Sequence, residues 1–377
     1  METKRLGDIA TYINGFPFKP EDRGTEGLPI IRIQDLTGNV YDPGFYKGEY
    51  PKRIEINEGD VLISWSASLG VYVWNRGKAL LNQHIFKVIF DKMAVDKTYF
   101  VYAVRHKLTE METKTHGATM KHIVKSDFDN TRIPFPSFEK QTEVARMLNK
   151  AERLIAAREQ QLAYLDNIVK ARFVELFGDP VRNEKGWSTK PLLSMGFCKN
   201  GMNFHYDDSG VEINCLGVGD FKDYSIIADT TILPMVSLNE MPSSEYLLQD
   251  DDIVFVRSNG NKQMVGRSVA VYPGNVPTTF SGFCIRYRRN SDEVITPYLL
   301  RVLKADSMRQ QMYGRGANIQ NLNQQTLSSL NIPIPPKMLQ EQFASFVTQV
   351  DKSKVVVQKA LEKTQCLFDS LLQNFFG

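Results

Sequence analysis

The chain has 377 residues, 42% of them hydrophobic and 24% charged, and a formal net charge of only +3. This is the make-up of a soluble globular protein with room for two cored domains. No stretch approaches the roughly 18 apolar residues of a membrane span, and so small a basic excess excludes strong unaided binding to nucleic acid, which would need local patches or a basic partner.

The start, Met1-Glu2-Thr3-Lys4-Arg5, has no apolar signal core, and Cys198, Cys215, Cys284 and Cys366 form no C-x-x-C pair. Buried free thiols in a reducing cytoplasm are expected. Runs at 29–33, 61–64, 71–74 and 84–90, broken by Gly and Asn, predict short strands. Residues 99–108 predict a short helix. Ile133-Pro134-Phe135-Pro136-Ser137 predicts an extended breaker, after which the pattern turns heptad. One seam is Val144, Ala151, Arg158, Leu165 and Arg172; the other is Leu148, Ile155, Leu162, Val169 and Leu176. A second strand-rich stretch follows, with strands at 252–256, 268–272 and 283–288 and a helix near 297–313. It ends in a second heptad run, Phe343, Val350, Val357, Thr364 and Leu371 with Val347, Lys354, Leu361, Phe368 and Phe375. Mostly apolar seams over about five heptads predict two helices, each roughly 55 Å long, packed on each other. The pattern alone leaves parallel and antiparallel pairing open.

The second half repeats the first. Gly117-Ala118, Ile133-Pro134, Pro136, Gln141 and Phe177-Gly178 recur 199 positions later as Gly316-Ala317, Ile332-Pro333, Pro335, Gln340 and Phe376-Gly377. Nearer the start of each copy the match needs gaps. Lys4-Arg5-Leu6 pairs with Lys190-Pro191-Leu192, Asn14-Gly15 with Asn200-Gly201, Asp35 with Asp220, and Gly59-Asp60 with Asp251-Asp252. Duplication of this kind predicts two similar modules. The offset drifts before the Gly-Ala step and is constant after it, as expected if a long helix must keep its length while surface loops vary.

No catalytic constellation emerges. There is no G-x-x-x-x-G-K-[ST] phosphate loop and no H-E-x-x-H, and Gly217-Val218-Gly219 lacks the third glycine of a dinucleotide site. The histidines at 84, 106, 116, 122 and 205 have no metal-ligand spacing. The Asn/Asp-Pro-Pro-aromatic motif of amino-methyltransferases is also missing. Several polar loops suit bases and phosphates instead. Arg257, Asn259, Asn261 and Lys262 fill a glycine-hinged turn after a strand; Arg and Lys match guanine edges or phosphates, and Asn matches adenine. The first-half equivalent is Ser64 and Trp65, with Asn82, Gln83 and His84 nearby. Polar residues also follow both Gly-Ala steps: Thr119, Lys121 and His122, then Asn318, Gln320 and Asn321. Each set leads into a short helix whose first amides could hold a phosphate. Ordinary polar turns are the competing reading of these loops.

Taken in order and in duplicate, these motifs resemble the DNA-specificity subunit of type I restriction–modification systems. The resemblance rests on Leu6-Gly7-Asp8-Ile9 (weaker at Leu192-Leu193-Ser194-Met195), the strand at 59–64, the Gly-Ala and Ile-Pro-x-Pro steps, the Gln-bearing helix start and Phe173-Val174-Glu175-Leu176-Phe177-Gly178-Asp179-Pro180. It implies an α+β fold: two similar mixed α/β target-recognition domains, 1–138 and 181–337, joined by two long conserved helices, 139–180 and 338–377, in an antiparallel coiled coil. It implies that each domain reads one half of a split site on double-stranded DNA. Modification (methyltransferase) subunits would bind the helices and supply S-adenosylmethionine chemistry, restriction subunits would bring ATP and Mg, and this chain would carry no cofactor and no catalytic residue. Asp251 departs from the glycine common in that family, which implies a change in the turn alone. Two alternatives stay open: a specificity chain serving a fused methyltransferase–nuclease, and a non-DNA coiled-coil scaffold with two ligand-binding β domains.

Overall fold

The computed structural model describes residues 2–38, 43–114, 123–204, 209–221, 225–312 and 321–377. In chain order come β1 (Thr3–Arg5), α1 (Leu6–Ile9), β2 (Thr11–Asn14), β3 (Leu28–Ile31), α2 (Ile33–Leu36), β4 (Phe45–Tyr46), β5 (Glu55–Ile56), β6 (Val61–Ser64), β7 (Gly70–Val73), β8 (Ala79–Leu81) and β9 (Ile85–Ile89). Then follow α3 (Lys97–Lys114), α4 (Lys125–Asn130), β10 (Arg132–Pro134) and the long α5 (Phe138–Phe177). The second copy holds β11 (Thr189–Pro191), β12 (Gly196–Asn200), β13 (Val211–Leu216), β14 (Ile226–Ile227), β15 (Met235–Leu238), β16 (Asp252–Val256), β17 (Ser268–Val271), β18 (Thr278–Phe280) and β19 (Cys284–Arg289). It closes with α6 (Thr296–Lys304), α7 (Asp306–Met312), α8 (Gln324–Ser328), β20 (Asn331–Pro333) and α9 (Lys337–Phe376).

The chain forms two compact units, residues 1–160 with 358–377 and residues 161–357. Each long helix is therefore shared between them. In the first unit β2-β9-β6-β7 make one sheet and β4-β3-β8-β5 another, with β3 and β8 parallel. In the second, β12-β19-β16-β17-β14 and β15-β13-β18 follow the same plan, with β13 and β18 parallel.

The repeated residues are hydrogen-bonding staples. The Ile-Pro breaker is a strand in both copies. It closes each domain on its own first residues, Lys4 lying opposite Ile133 in β1–β10 and Lys190 opposite Ile332 in β11–β20. The Tyr99 hydroxyl donates to the Pro134 carbonyl at 2.9 Å, as Tyr298 does to Pro333 at 3.0 Å. Gln141 is fully buried; its Nε2 donates to the Pro136 carbonyl and its Oε1 accepts from the Asp96 amide. Gln340, also fully buried, makes the matching bonds to Pro335 and Ile295. Each glutamine so ties the start of its long helix to the entry of α3 or α6 and leaves no buried amide unmet. Asp35 and Asp220 each accept from a backbone amide three residues back, Arg32 and Gly217, and Asp60 and Asp252 do the same for Asn57 and Gln249. Asp251 sits at φ +70°, where its counterpart Gly59 sits at +85°. A non-glycine residue there costs roughly 1 kcal/mol, and the Tyr272 hydroxyl, donating to Asp251 Oδ1 at 3.1 Å, helps to hold it.

All twenty seam positions are buried or half-buried. In the first unit Val144, Ala145 and Leu148 of α5 share a core with Phe368, Leu371 and Phe376 of α9. In the second, Val169, Phe173 and Phe177 share one with Phe343 and Val350. The start of each helix thus meets the end of the other, so the coiled coil is antiparallel. The Lys354–Asp166 ion pair, 2.6 Å, belongs to the same packing. The end of each helix also covers the strand-rich domain of the other copy. Tyr99 of α3 meets Phe376 at 5.2 Å between ring centroids, and Tyr298 of α6 meets Phe177 at 4.7 Å. Burying such rings contributes about 2–3 kcal/mol apiece.

The helix expected near 297–313 is two helices. Ala305 is extended, with φ −62° and ψ 138°, and α7 sets off in a direction fixed by Arg309, which donates to the Gln263 carbonyl at 2.8 Å. Beside this break Lys304 lines a cavity of about 240 Å³ with Lys170, Arg301 and Ser307. Burial first, then Arg301 and Lys354, pull its ammonium down to about 8 against the opposing field of Asp166, with Arg267 adding a smaller push. The unfolded chain holds that proton to about 10.5. The charged form therefore costs stability at every pH below about 8, and stability recovers between about 8 and 10.5, where only the unfolded state still binds the proton. Lys304→Met is expected to stabilise the protein by about 1–2 kcal/mol at pH 7, discounted for partial exposure, and to flatten that alkaline rise. Thermal melts across pH 7–11 check this (roughly 2–8 °C at pH 7); superimposable curves would mean the ammonium is fully solvated.

Candidate nucleic-acid interface

In each unit one backbone node gathers three chain segments. In the first, the Trp65 amide donates to the His84 carbonyl at 3.2 Å, and the Ile123 amide to the Trp65 carbonyl at 3.0 Å. In the second, the Arg257 amide donates to the Phe283 carbonyl at 2.8 Å, and the Leu322 amide to the Arg257 carbonyl at 2.7 Å. The loop after β6 or β16, the turn before β9 or β19, and the segment entering α4 or α8 are thereby fastened together. The Asn-Gly steps brace both nodes. A Cβ on Gly15 would overlap the Asn82 and Leu81 carbonyls, and one on Gly201 those of Ser281 and Phe280.

The frame is common but the side chains differ. Ser64 is fully buried and its hydroxyl donates to the Ser68 carbonyl, so it shapes the loop from below. Trp65 is half-buried, stacked on Phe86 at 5.5 Å and edge-on to His84 at 4.9 Å, with its Nε1 donating to Asn14. His84 itself has φ +72°. Asn82 accepts from the Gln83 amide, and the Gln83 side chain faces solvent. In the second unit Arg257 is half-buried and its Nη1 donates to the Gly282 carbonyl at 3.3 Å. Asn259 and Asn261 each turn the loop by accepting from the amide two residues on, and Asn261 and Lys262 face solvent. Asn321 is exposed and bridges Ser258.

Thr119, Lys121, His122, Asn318 and Gln320 lie outside the described residues. The short helices expected beyond them are α4 and α8. The Thr326 amide at the start of α8 is already taken by Asn323 Oδ1 at 2.8 Å, which removes one donor from the expected phosphate cradle. Phe283 went unremarked among the candidate residues although it occupies the place of His84. The signal was available: the two are 199 apart, so the constant offset starts upstream of the Gly-Ala step. Among the described residues no group of three or more His, Cys, Asp and Glu side chains is placed to hold a metal, and no helix is long and apolar enough to cross a membrane.

Two strand-rich units on a shared frame, each presenting its own polar and aromatic cluster, define a class of paired recognition modules carried on long helices. A profile of the type I restriction modification DNA specificity domain matches residues 1–166 and 222–364, and the chain belongs to that family. It is 24% identical to the type I restriction enzyme MjaVIII specificity subunit of Methanocaldococcus jannaschii over 96% of this chain and 90% of that one. It is 23% identical to the StySPI specificity subunit of Salmonella potsdam over 99% and 88%. Its fold matches the crystal structure of a type I restriction–modification S subunit from M. genitalium with a TM-score of 0.57, 16% identity and coverage of 100% and 96%. Its function is DNA sequence specificity in a type I restriction–modification system.

Proposed function

We propose that each unit reads one half of a split site on double-stranded DNA, and that this non-catalytic chain directs modification and cleavage performed by partner subunits. The observation that carries the proposal is the shared node with unlike side chains, Trp65 and His84 in one unit, Arg257 and Phe283 in the other. One frame with two chemistries suits two different half-sites, each good bidentate contact giving roughly 1–3 kcal/mol of discrimination. Modification subunits engage the long helices, which leave Leu154, Tyr164 and Ile168 of α5 and Val355, Val356 and Leu367 of α9 exposed off the seam. S-adenosylmethionine, ATP and Mg belong to the partners.

The length of the helices sets the gap between half-sites. Deleting residues 157–163 and 356–362, one heptad from each helix, shortens both by about 10.5 Å, or about three base pairs. Methylation sequencing of cells carrying the shortened chain and its partners should show both half-sites kept and the spacer reduced by about three base pairs. An unaltered spacer would exclude helix length as the ruler.

A further inference from the structure

Phe283 stands at the tip of the turn between β18 and β19 and is 61% exposed, more than Phe138 or Phe197. The turn beneath it is rigid. Its carbonyl accepts from the Arg257 and Ser258 amides at 2.8 and 3.3 Å, and its amide donates to Ser281 Oγ at 3.3 Å. Gly282 before it is packed so closely that a Cβ there would overlap the Asn203 side chain, and Cys284 after it is fully buried. A phenylalanine ring projected into water from so fixed a base forgoes the stabilisation that burial would bring, and nothing in the folding of the unit requires it. Hydrogen-bonding groups surround it: Arg257 at the same node and Asn321 across the Ser258 bridge. In the first unit the same position holds His84, whose ring packs edge-on against Trp65. The projecting ring is thus a property of one unit only.

We propose that Phe283 inserts between two adjacent base pairs of the half-site read by the second unit, unstacking that step and kinking the duplex, while the first unit reads its half-site without insertion. The inference rests on the reading of this chain as a DNA-sequence reader. Rigid apolar side chains flanked by polar donors act as wedges of this kind. Pyrimidine–purine steps are the easiest to open, so the half-site read by the second unit contains TA or CA/TG at the wedge. Phe283 then selects sequence at a step where it makes no hydrogen bond.

The test uses the full complex with its modification subunits and duplexes carrying the target mapped by methylation sequencing, with 2-aminopurine placed at successive positions of both half-sites. Several-fold fluorescence enhancement is expected at one step of one half-site, apart from any at the bases that the modification subunits themselves flip out to methylate. Phe283→Ala should abolish it and weaken binding about tenfold, Phe283→Trp should retain it, and Phe138→Ala, which removes an exposed ring at the start of α5, should leave it unchanged. Because the Phe283 ring is mostly exposed, Phe283→Ala should melt as the wild type does. Selective binding by the wild type with no enhancement outside the methylated bases, or such enhancement persisting in Phe283→Ala, would overturn the wedge and leave DNA reading intact. Absence of any sequence-selective binding by the wild-type complex would overturn both.

Discussion

Gly201→Ala is expected to abolish sequence-selective methylation and to lower stability by about 3 kcal/mol. Neither Gly201 nor Gly15 is held in the left-handed backbone region, so the requirement is steric. The Cβ of Gly201→Ala would enter the Ser281 and Phe280 carbonyls, which are main chain and have no rotamer with which to yield. The Gly201 amide donates to the Cys284 carbonyl at 3.0 Å and the Met202 amide to Phe280 at 3.1 Å, so the clash acts on both ends of the turn that carries Phe283. Overpacking costs about 1–3 kcal/mol where side chains can shift and more against backbone. Gly15→Ala should damage the first node in the same way, through Asn82. Thermal melts should fall by roughly 6–12 °C for either variant, and methylation sequencing should show modification lost. Wild-type melting and methylation in Gly201→Ala would show that the turn is free to move and that the node is not the recognition frame.

Arg288→Met should be at least as destabilising, for an electrostatic reason. Asp252 is fully buried, and Arg288 grips it through Nε and Nη2, both at 2.7 Å, while Nη2 also donates to the Leu247 carbonyl at 3.0 Å. Removing the guanidinium leaves a buried carboxylate whose remaining hydrogen bond among the described residues is from the Gln249 amide at 2.8 Å, which costs about 3–5 kcal/mol. The first unit supplies a comparison. There Lys87 meets Asp60 at 2.9 Å with the two side chains 12% and 25% exposed, so water can replace the lost lysine and Lys87→Met should cost only about 1–2 kcal/mol. Adding Asp252→Asn to Arg288→Met should recover part of the loss. Denaturant titration of the three variants beside the wild type checks the order; equal costs for Arg288→Met and Lys87→Met would mean that burial of the carboxylate is not what matters.

Strands with a strong local pattern were legible beforehand. Residues 61–64 and 252–256 are strands as expected, because apolar runs bounded by turn residues need no distant partner to be recognised. The three-residue strands β1, β10, β11 and β20 were not, since each is defined by a partner more than 100 residues away. The break at Ala305 was hidden for a similar reason: an apolar helical pattern runs through it, and the turn is imposed by the Arg309 contact with the 257–267 loop. At the node, Arg257 and Trp65 were marked by residue type. Phe283 was not, because a phenylalanine beside a strand looks like core until its exposure is known.

The sequence by itself determined the duplication, the heptad seams and the kinds of side chain available to each unit, because these are written in spacing and residue type along the chain. It also marked Gln141 and Gln340 as equivalent, though not why they recur. Only the tertiary structure decided that the helices run antiparallel, that the Asn-Gly steps brace the turns before β9 and β19, and that Ser64 lies beneath its loop while Phe283 stands clear of its own. Those outcomes depend on which distant segments share a carbonyl, an amide or a patch of apolar surface, and no local pattern carries that information.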